Sequence, residues 1–473
     1  MSEAGLSAAS ASDAGTGLYP PTLTPSEQPL GLTRFLLACA DNPLATIPAA
    51  AFREPVHAFV PVRGRRVLWV CDPDWTERIL VADADRYRKT EIERRVLEPA
   101  AGDGVLTANG VSWRWQRRVL APLFRHGEIV RYVPEMRAAA EHLTGAWQAS
   151  AGRRTTIRQI DADMTSVTFD VIVRTMLAGG APSDVAEVMR AGAAYLEATP
   201  WEIGFSILGL PRWLPHPAWL KLRRNASALR RAVGTIIDDR RRRVDTSGDE
   251  APDLLGRLLA ARDPETAAPL THDQLVDNLA TLLEAGHETT AKALTWSLYL
   301  LARAPVWQDR VRDEVQRVAG SAPLEASHLD ALEVTERVLR EAMRLYPPAP
   351  MLARTPLARE TIAGHEVAPG EQILMPVFAI HRHRRLWSDP DRFNPDRFLP
   401  ERAETYRRTQ YMPFGAGPRI CIGASFALVE AKVLLASLIR AARFGWDGKH
   451  MPEPQSRVTL RPKGGMPLAV EML

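Results

Sequence analysis

Cys421 stands between glycines, two residues after Arg419 and just ahead of a long run of helix formers, in Phe414-Gly415-Ala416-Gly417-Pro418-Arg419-Ile420-Cys421-Ile422-Gly423. That arrangement suits a thiolate that ligates a metal. From Ala424 the sequence reads ASFALVEAKVLLASLIRAARF, without Pro or Gly, which predicts a helix starting just beyond the cysteine. The unpaired N–H groups and positive dipole end of a helix start favour a thiolate over a thiol. Gly423 removes a side chain beside the sulfur, so a flat ring can come close to the backbone. Gly415 and Gly417 allow the tight turns of a loop that offers N–H groups to the sulfur. Arg419 can reach a carboxylate at such a ring's rim, because a guanidinium stays charged and binds two oxygens at once. A lone cysteine can also be a small buried hydrophobe. A nucleotide loop in GAGPRI fails, because Ile420 takes the third glycine position and Pro418 interrupts the turn.

A second constellation is Ala285-Gly286-His287-Glu288-Thr289-Thr290. Leu275, Leu279, Leu282, Gly286, Thr289 and Ala293 recur at helical spacing, so Gly286 and Thr289 interrupt an aliphatic stripe at its middle. Glycine leaves room there for a small molecule. Threonine can hydrogen-bond that molecule or bond a carbonyl one turn back. Glu288 supplies a carboxylate for proton relay. Thr271 and Gln274 have the spacing of a capping box, and Pro305 closes the segment, so one unusually long helix is predicted. Asp277, Asn278, Glu284, His287 and Glu288 exclude a span in lipid.

These groups need supports. Glu341 and Arg344 lie three residues apart in VTERVLREAMRLYPP, on one face of a helix that Pro347 and Pro348 stop. Trp113 and Arg117 are separated by one helical turn. Arg354 follows Arg344 by ten residues, and Pro390-Asp391-Arg392-Phe393 follows later.

The pattern F-x-x-G-x-R-x-C-x-G resembles the heme-binding loop of the cytochrome P-450 family. E-x-x-R at Glu341 and Arg344, A-G-x-x-T-T from Ala285, and W-x-x-x-R at Trp113 and Arg117 are similar to the family's other landmarks, in its order. The resemblance covers residues 30–473. It implies a mainly α fold with a small discontinuous β domain, carrying heme b with Cys421 as the iron ligand. Arg419, Trp113, Arg117 and Arg354 are then expected at the heme propionates, with Phe414, Gly417 and Gly423 shaping the heme loop. Ala285 and Gly286 would border the oxygen pocket, Thr289 would hold dioxygen and its protons, and Glu288 would relay protons. Arg392 would join Glu341 and Arg344 in a buried charge network. The implied reaction inserts one atom of O2 into a C–H or C=C bond of a lipophilic small molecule: a fatty acid, a terpenoid or a sterol-like ring. Electrons would come from NAD(P)H through a reductase and a ferredoxin or flavodoxin, with no reductase fused to this chain. Two rivals are an H2O2-driven peroxygenase, against which Glu288 and Thr289 argue, and a non-enzymatic heme sensor or carrier.

Composition agrees. The chain has 473 residues, 46% of them hydrophobic, and a net charge of +4, enough to bury a large core and too little charge to imply nucleic acid. Residues 1–29 are rich in Ser, Ala, Gly and Pro, lack the pattern of a signal peptide, and are expected to be a disordered extension. No membrane anchor is expected, and three cysteines form no disulfide framework, which places the protein in the cytoplasm. Residues 57–71, 361–378 and 457–471 read as hairpins or short strands, the last turning at Gly464-Gly465. Residues 239–253 read as a helix end and exposed loop. Arginines 114, 117, 118 and 125, with 402, 407 and 408, form a candidate face for an acidic electron donor. His381-Arg382-His383 is read as a loop, with no metal but heme iron. The substrate pocket is expected near Leu282, Leu283, Ala349–Leu352, residues 88–106 and Thr199–Leu214.

Overall fold

The segment after Thr271 forms one helix, His272–Arg303, as its spacing predicts. The capping box is complete: Gln274 N–H donates to Thr271 Oγ1, and Thr271 N–H donates to Gln274 Oε1. In its second half Leu294, Trp296, Leu298, Tyr299, Leu300 and Leu301 are all sealed from solvent. A helix apolar on every side belongs in the middle of a core, and the helices Ile160–Met176, Trp219–Ser247, Glu333–Leu345 and Ala424–Ala441 pack around it. Trp296 stacks flat on Tyr346 at 3.7 Å between ring centroids. The computed structural model describes residues 17–473 apart from 29, 63–64, 152–154, 178–181, 208–209, 248–252 and 404.

The fold is mainly α-helical, with a small β region gathered from distant parts of the chain. Its five-stranded sheet has the order Val56–Val62, Arg65–Val70, Gln372–Met375, Leu352–Pro356, Tyr87–Arg88. The expected first hairpin is present, its turn at Arg63 and Gly64 lying outside the described residues. Glu360–Ile362 and His365–Val367 pair across Gly364, whose φ of +81° only glycine adopts freely. The Trp219–Ser247 helix ends where expected, and the following loop lies outside the described residues.

Three expectations need correction. The strands flanking Gly464 and Gly465, Leu460–Lys463 and Pro467–Met472, do not pair with each other. The first pairs with Glu453–Ser456 and the second lies between Thr156–Gln159 and Ala442–Gly445. Alternation marks a strand but not its partner. Residues 17–28, assigned by composition to a disordered extension, are tied to the body. Leu18 O accepts from Phe393 N–H at 2.9 Å, Pro21 O from the Tyr346 hydroxyl at 2.7 Å and Ser26 O from Ala49 N–H at 3.0 Å. Composition cannot register backbone hydrogen bonds.

The third correction concerns the charge network. Glu341 and Arg344 are fully buried and paired, with Nε to Oε2 at 2.7 Å and Nη2 to Oε1 at 2.8 Å. The second arginine is Arg397, its Nε 3.4 Å from Glu341 Oε1, and not Arg392. The sequence carries Pro-Asp-Arg-Phe twice, at 390–393 and 395–398, and the second copy turns inward. Arg392 is exposed and contributes only its carbonyl, which accepts from Arg344 Nη2 at 3.1 Å. Removing one partner of a buried pair strands the other charge. Arg397→Ala should therefore lower the free energy of unfolding by about 3 kcal/mol, and Arg392→Ala by less than about 0.5 kcal/mol, as measured by urea titration followed by circular dichroism.

Candidate active site

The Phe414–Gly423 loop runs into the Ala424–Ala441 helix and closes on itself where Cys421 N–H donates to Phe414 O at 2.9 Å. Gly415 and Gly417 turn the loop with φ of +75° and +72°. Cys421 faces a cavity of about 620 Å³ together with Phe414, Arg419 and Gly423. Gly423 has no protein atom where a side chain would point, so the space beside the sulfur is open. Gly417 does not line the cavity. A Cβ there would overlap the carbonyl of Leu80, so this glycine docks the loop on the neighbouring Arg78–Ala82 turn. Burial pushes the Cys421 thiol up, outweighing the Gly423 N–H and the Arg117 charge that pull it down. A metal bound at the sulfur would remove its proton and hold it as the thiolate.

One rim of the cavity concentrates positive charge. Arg354 is buried, with Nη1 donating to Ala353 O at 2.8 Å. Arg419 lies 4.2 Å from the centroid of the Trp113 ring and donates from Nη2 to Asn109 Oδ1 at 3.1 Å, while its Nη1 is buried with no partner. Trp113 and Arg117 reach the same cavity from the Gly110–Leu120 helix. Lys89, which sequence reasoning missed, joins them and pairs with Glu93. Burial and the neighbouring Arg354 push the Arg419 pKa down to about 10. Four cations facing one carboxylate leave a rim that calls for anionic oxygens.

The opposite wall is the long helix. Ala285, Gly286, Glu288 and Thr289 all line the cavity. Thr289 Oγ1 donates to Ala285 O at 2.8 Å, the carbonyl one turn back. Glu288 Oε1 accepts from Thr459 Oγ1 at 3.0 Å and lies 3.6 Å from Lys292 Nζ, which sits 2.8 Å from Asp161. Leu282, Ala349–Leu352 and much of residues 88–106 form apolar walls as expected. Leu283 is buried away from the cavity, and from Thr199–Leu214 only Ile203 reaches it among the described residues.

A sequence model described as Cytochrome P450 matches residues 56–469. The chain belongs to the cytochrome P450 family. It is 32% identical to cyclooctatin synthase of Streptomyces melanosporofaciens, over 91% of this chain and 93% of that one. It is also 32% identical to a cytokinin hydroxylase of Arabidopsis thaliana, over 81% of this chain and 75% of that one. The crystal structure of the cytochrome P450DA heme domain superposes with a TM-score of 0.82 at 27% identity, covering 96% of this chain and 99% of that one.

The cytochrome P450 heme fits the residues present. A thiol faces open space beside a glycine, and Arg419, which lines the same cavity, has a buried Nη1 without a hydrogen-bond partner. Cys421 would hold the iron, and Arg117, Arg354 and Arg419 the propionates. The loop is linked to the buried charge network by His381. Its Nε2 accepts from Met412 N–H at 2.9 Å, its ring stacks on Tyr411, and its carbonyl accepts from Arg344 Nη1 at 2.8 Å. Nothing in the His381-Arg382-His383 spacing discloses this role. Arg382 instead lies over the Phe378 ring at 4.2 Å, and His383 Nε2 is 3.2 Å from Glu54 O.

Burial, with Arg344 nearby, pushes the His381 pKa down from 6.5 to about 3. Between these values the unfolded chain binds a proton that the folded chain does not, so stability rises with pH across that window and is complete above it. Going from about pH 7 to about pH 5, His381 should cost the protein about 2 kcal/mol. His381→Gln keeps an acceptor for Met412 and should lose that much less, as compared by urea titration at the two pH values.

Proposed function

We propose that this cytochrome P450 is a monooxygenase that inserts one atom of O2 into a C–H or C=C bond of a lipophilic small molecule. The observation that carries the reading is the joint placement of Cys421 and the Gly286–Thr289 turn on one apolar cavity. Thiolate-ligated heme, when bound, supplies the electron density that favours cleavage of an O–O bond. The chain's own residues do the rest. Gly286 lines the cavity, and a Cβ there would press on Ile172. The Thr289 hydroxyl is held by Ala285 O and keeps lone pairs to accept a proton donor. Glu288 is held between Thr459 and Lys292, with Asp161 behind, so a carboxylate stands between the cavity and a polar cluster through which protons can move.

The substrate class we favour is a carbocyclic lipophile. The cavity walls are mainly apolar, and one relative, 30% identical over 84% of this chain, is named cyclooctat-9-en-7-ol 5-monooxygenase. A fatty acid or sterol-like ring would meet the same walls. Electrons would come from NAD(P)H through a separate reductase and a ferredoxin or flavodoxin. Arg114, Arg125, Arg402 and Arg408 are exposed and suit an acidic donor, whereas Arg118 is engaged by Asp263 and Glu265, and Arg407 by Asp74. Among the described residues no helix is long and apolar enough to cross a membrane, and all three cysteines are unpaired, which supports a cytoplasmic setting.

The dithionite-reduced protein with carbon monoxide should show a strongly red-shifted Soret band, and Cys421→Ala should lose it. A band typical of histidine-ligated heme in the native protein would reject the monooxygenase reading. With surrogate ferredoxin and reductase, Glu288→Gln should slow turnover by about tenfold or more. Thr289→Ala should keep NADPH consumption while product per NADPH falls.

A further inference from the structure

Glu284 lies one turn before Glu288 on the long helix and lines the cavity, as do Ile172, Tyr195 and Leu196. Tyr195 does not serve it, because its hydroxyl donates to Val96 O at 2.6 Å. Glu284 Oε1 is sealed from solvent and has no hydrogen-bond partner. The facing helix, Pro182–Ile207, places Gly192 directly against the carboxyl, and a side chain there would overlap it. The fold thus makes room for an acid with one oxygen that no protein group satisfies. Buried polar groups without partners are rare and costly, and Glu284 is among the residues that line the cavity.

We propose that Glu284 determines specificity by hydrogen-bonding a hydroxyl group carried by an otherwise apolar substrate. The inference rests on the lipophilic-substrate reading above and narrows it to a lipophile that already bears an alcohol. Burial, with the Glu288 charge nearby, pushes the Glu284 pKa up to about 8. At neutral pH the group is therefore mainly a carboxylic acid, with one O–H to donate and one C=O to accept. An alcohol matches both, accepting from the acid and donating back to its carbonyl. A cationic substrate would require ionising Glu284 against Glu288 and burying an ion pair, at a desolvation cost that a neutral pair avoids. A hydrocarbon would leave the acid unmet. The reaction that supplies the substrate is then one that installs a hydroxyl on a hydrocarbon skeleton, such as an earlier hydroxylation or the capture of a carbocation by water.

The test uses the ferric holoenzyme as wild type, Glu284→Gln and Glu284→Leu. Dissociation constants for adamantanol, adamantane and trimethyladamantylammonium (whose nitrogen cannot ligate iron) are read from the spin-state shift. Wild type should bind adamantanol about tenfold more tightly than adamantane, the effect of one buried hydrogen bond. Glu284→Gln, which also donates and accepts, should keep most of that preference, and Glu284→Leu should abolish it. Infrared difference spectra, taken on the same protein, should show an acid carbonyl band that is missing in Glu284→Gln and shifts with adamantanol but not with adamantane. Equal binding of alcohol and hydrocarbon by wild type, or a preference that survives in Glu284→Leu, overturns the proposal. Tightest binding of the ammonium, lost in Glu284→Gln, overturns the hydroxyl and replaces it with a cation. The carbon monoxide band of each variant separates this from failure of the heme-thiolate reading: if wild type lacks the band, that reading fails, and the infrared shift still decides on Glu284.

Discussion

Glu341 holds a carboxylate where no water reaches, and a charge so placed persists only if its oxygens are fully engaged. Arg344 and Arg397 flank it, and Asn394 N–H donates to Oε1 at 2.8 Å. Arg344 then spends its remaining donors on the carbonyls of His381, Pro390 and Arg392. One helix, one irregular stretch and the loop that carries Cys421 are therefore referred to a single buried charge. Through His381 and Met412 the reference passes to the start of that loop, so the sulfur's position depends on a carboxylate that never meets substrate.

The cavity sits between two electrostatic regimes. At one rim Arg354, Arg419 and Lys89 gather around Glu93, Arg117 lies near Cys421, and burial lowers the pKa of each cation. Along the long helix the imbalance has the opposite sign, with Glu284 and Glu288 stacked one turn apart. Each region is unfavourable in isolation and is explained by what the cavity is shaped to receive. That is the usual sense in which a functional site departs from the best local packing.

Much of this was legible in the sequence because the chemistry is local. A cysteine among glycines ahead of a helix, a glycine and a threonine inside an aliphatic stripe, and a capping box at Thr271 each declare themselves within ten residues. What escaped depends on distance. Arg397 and Arg392 sit in identical four-residue frames, and only the tertiary fold decides which one turns inward. The strands beside Gly464 and Gly465 alternate properly yet part to different sheets. His381 and Glu284 read as an ordinary loop and a helix charge until their neighbours are known, and Lys89 passes unmarked inside the expected pocket segment.

The segment Leu18–Pro21 hydrogen-bonds to Phe393 and Tyr346, residues that border the Glu341 network. On the ribosome these partners emerge more than three hundred residues later. At usual elongation rates of about 5 to 20 residues per second, the early segment waits for tens of seconds with its acceptors facing water. The long helix can form in that interval, but the seam that braces the sulfur-bearing loop closes only after Phe393 has emerged. Heme capture by a braced loop would then follow that closure rather than the formation of the long helix.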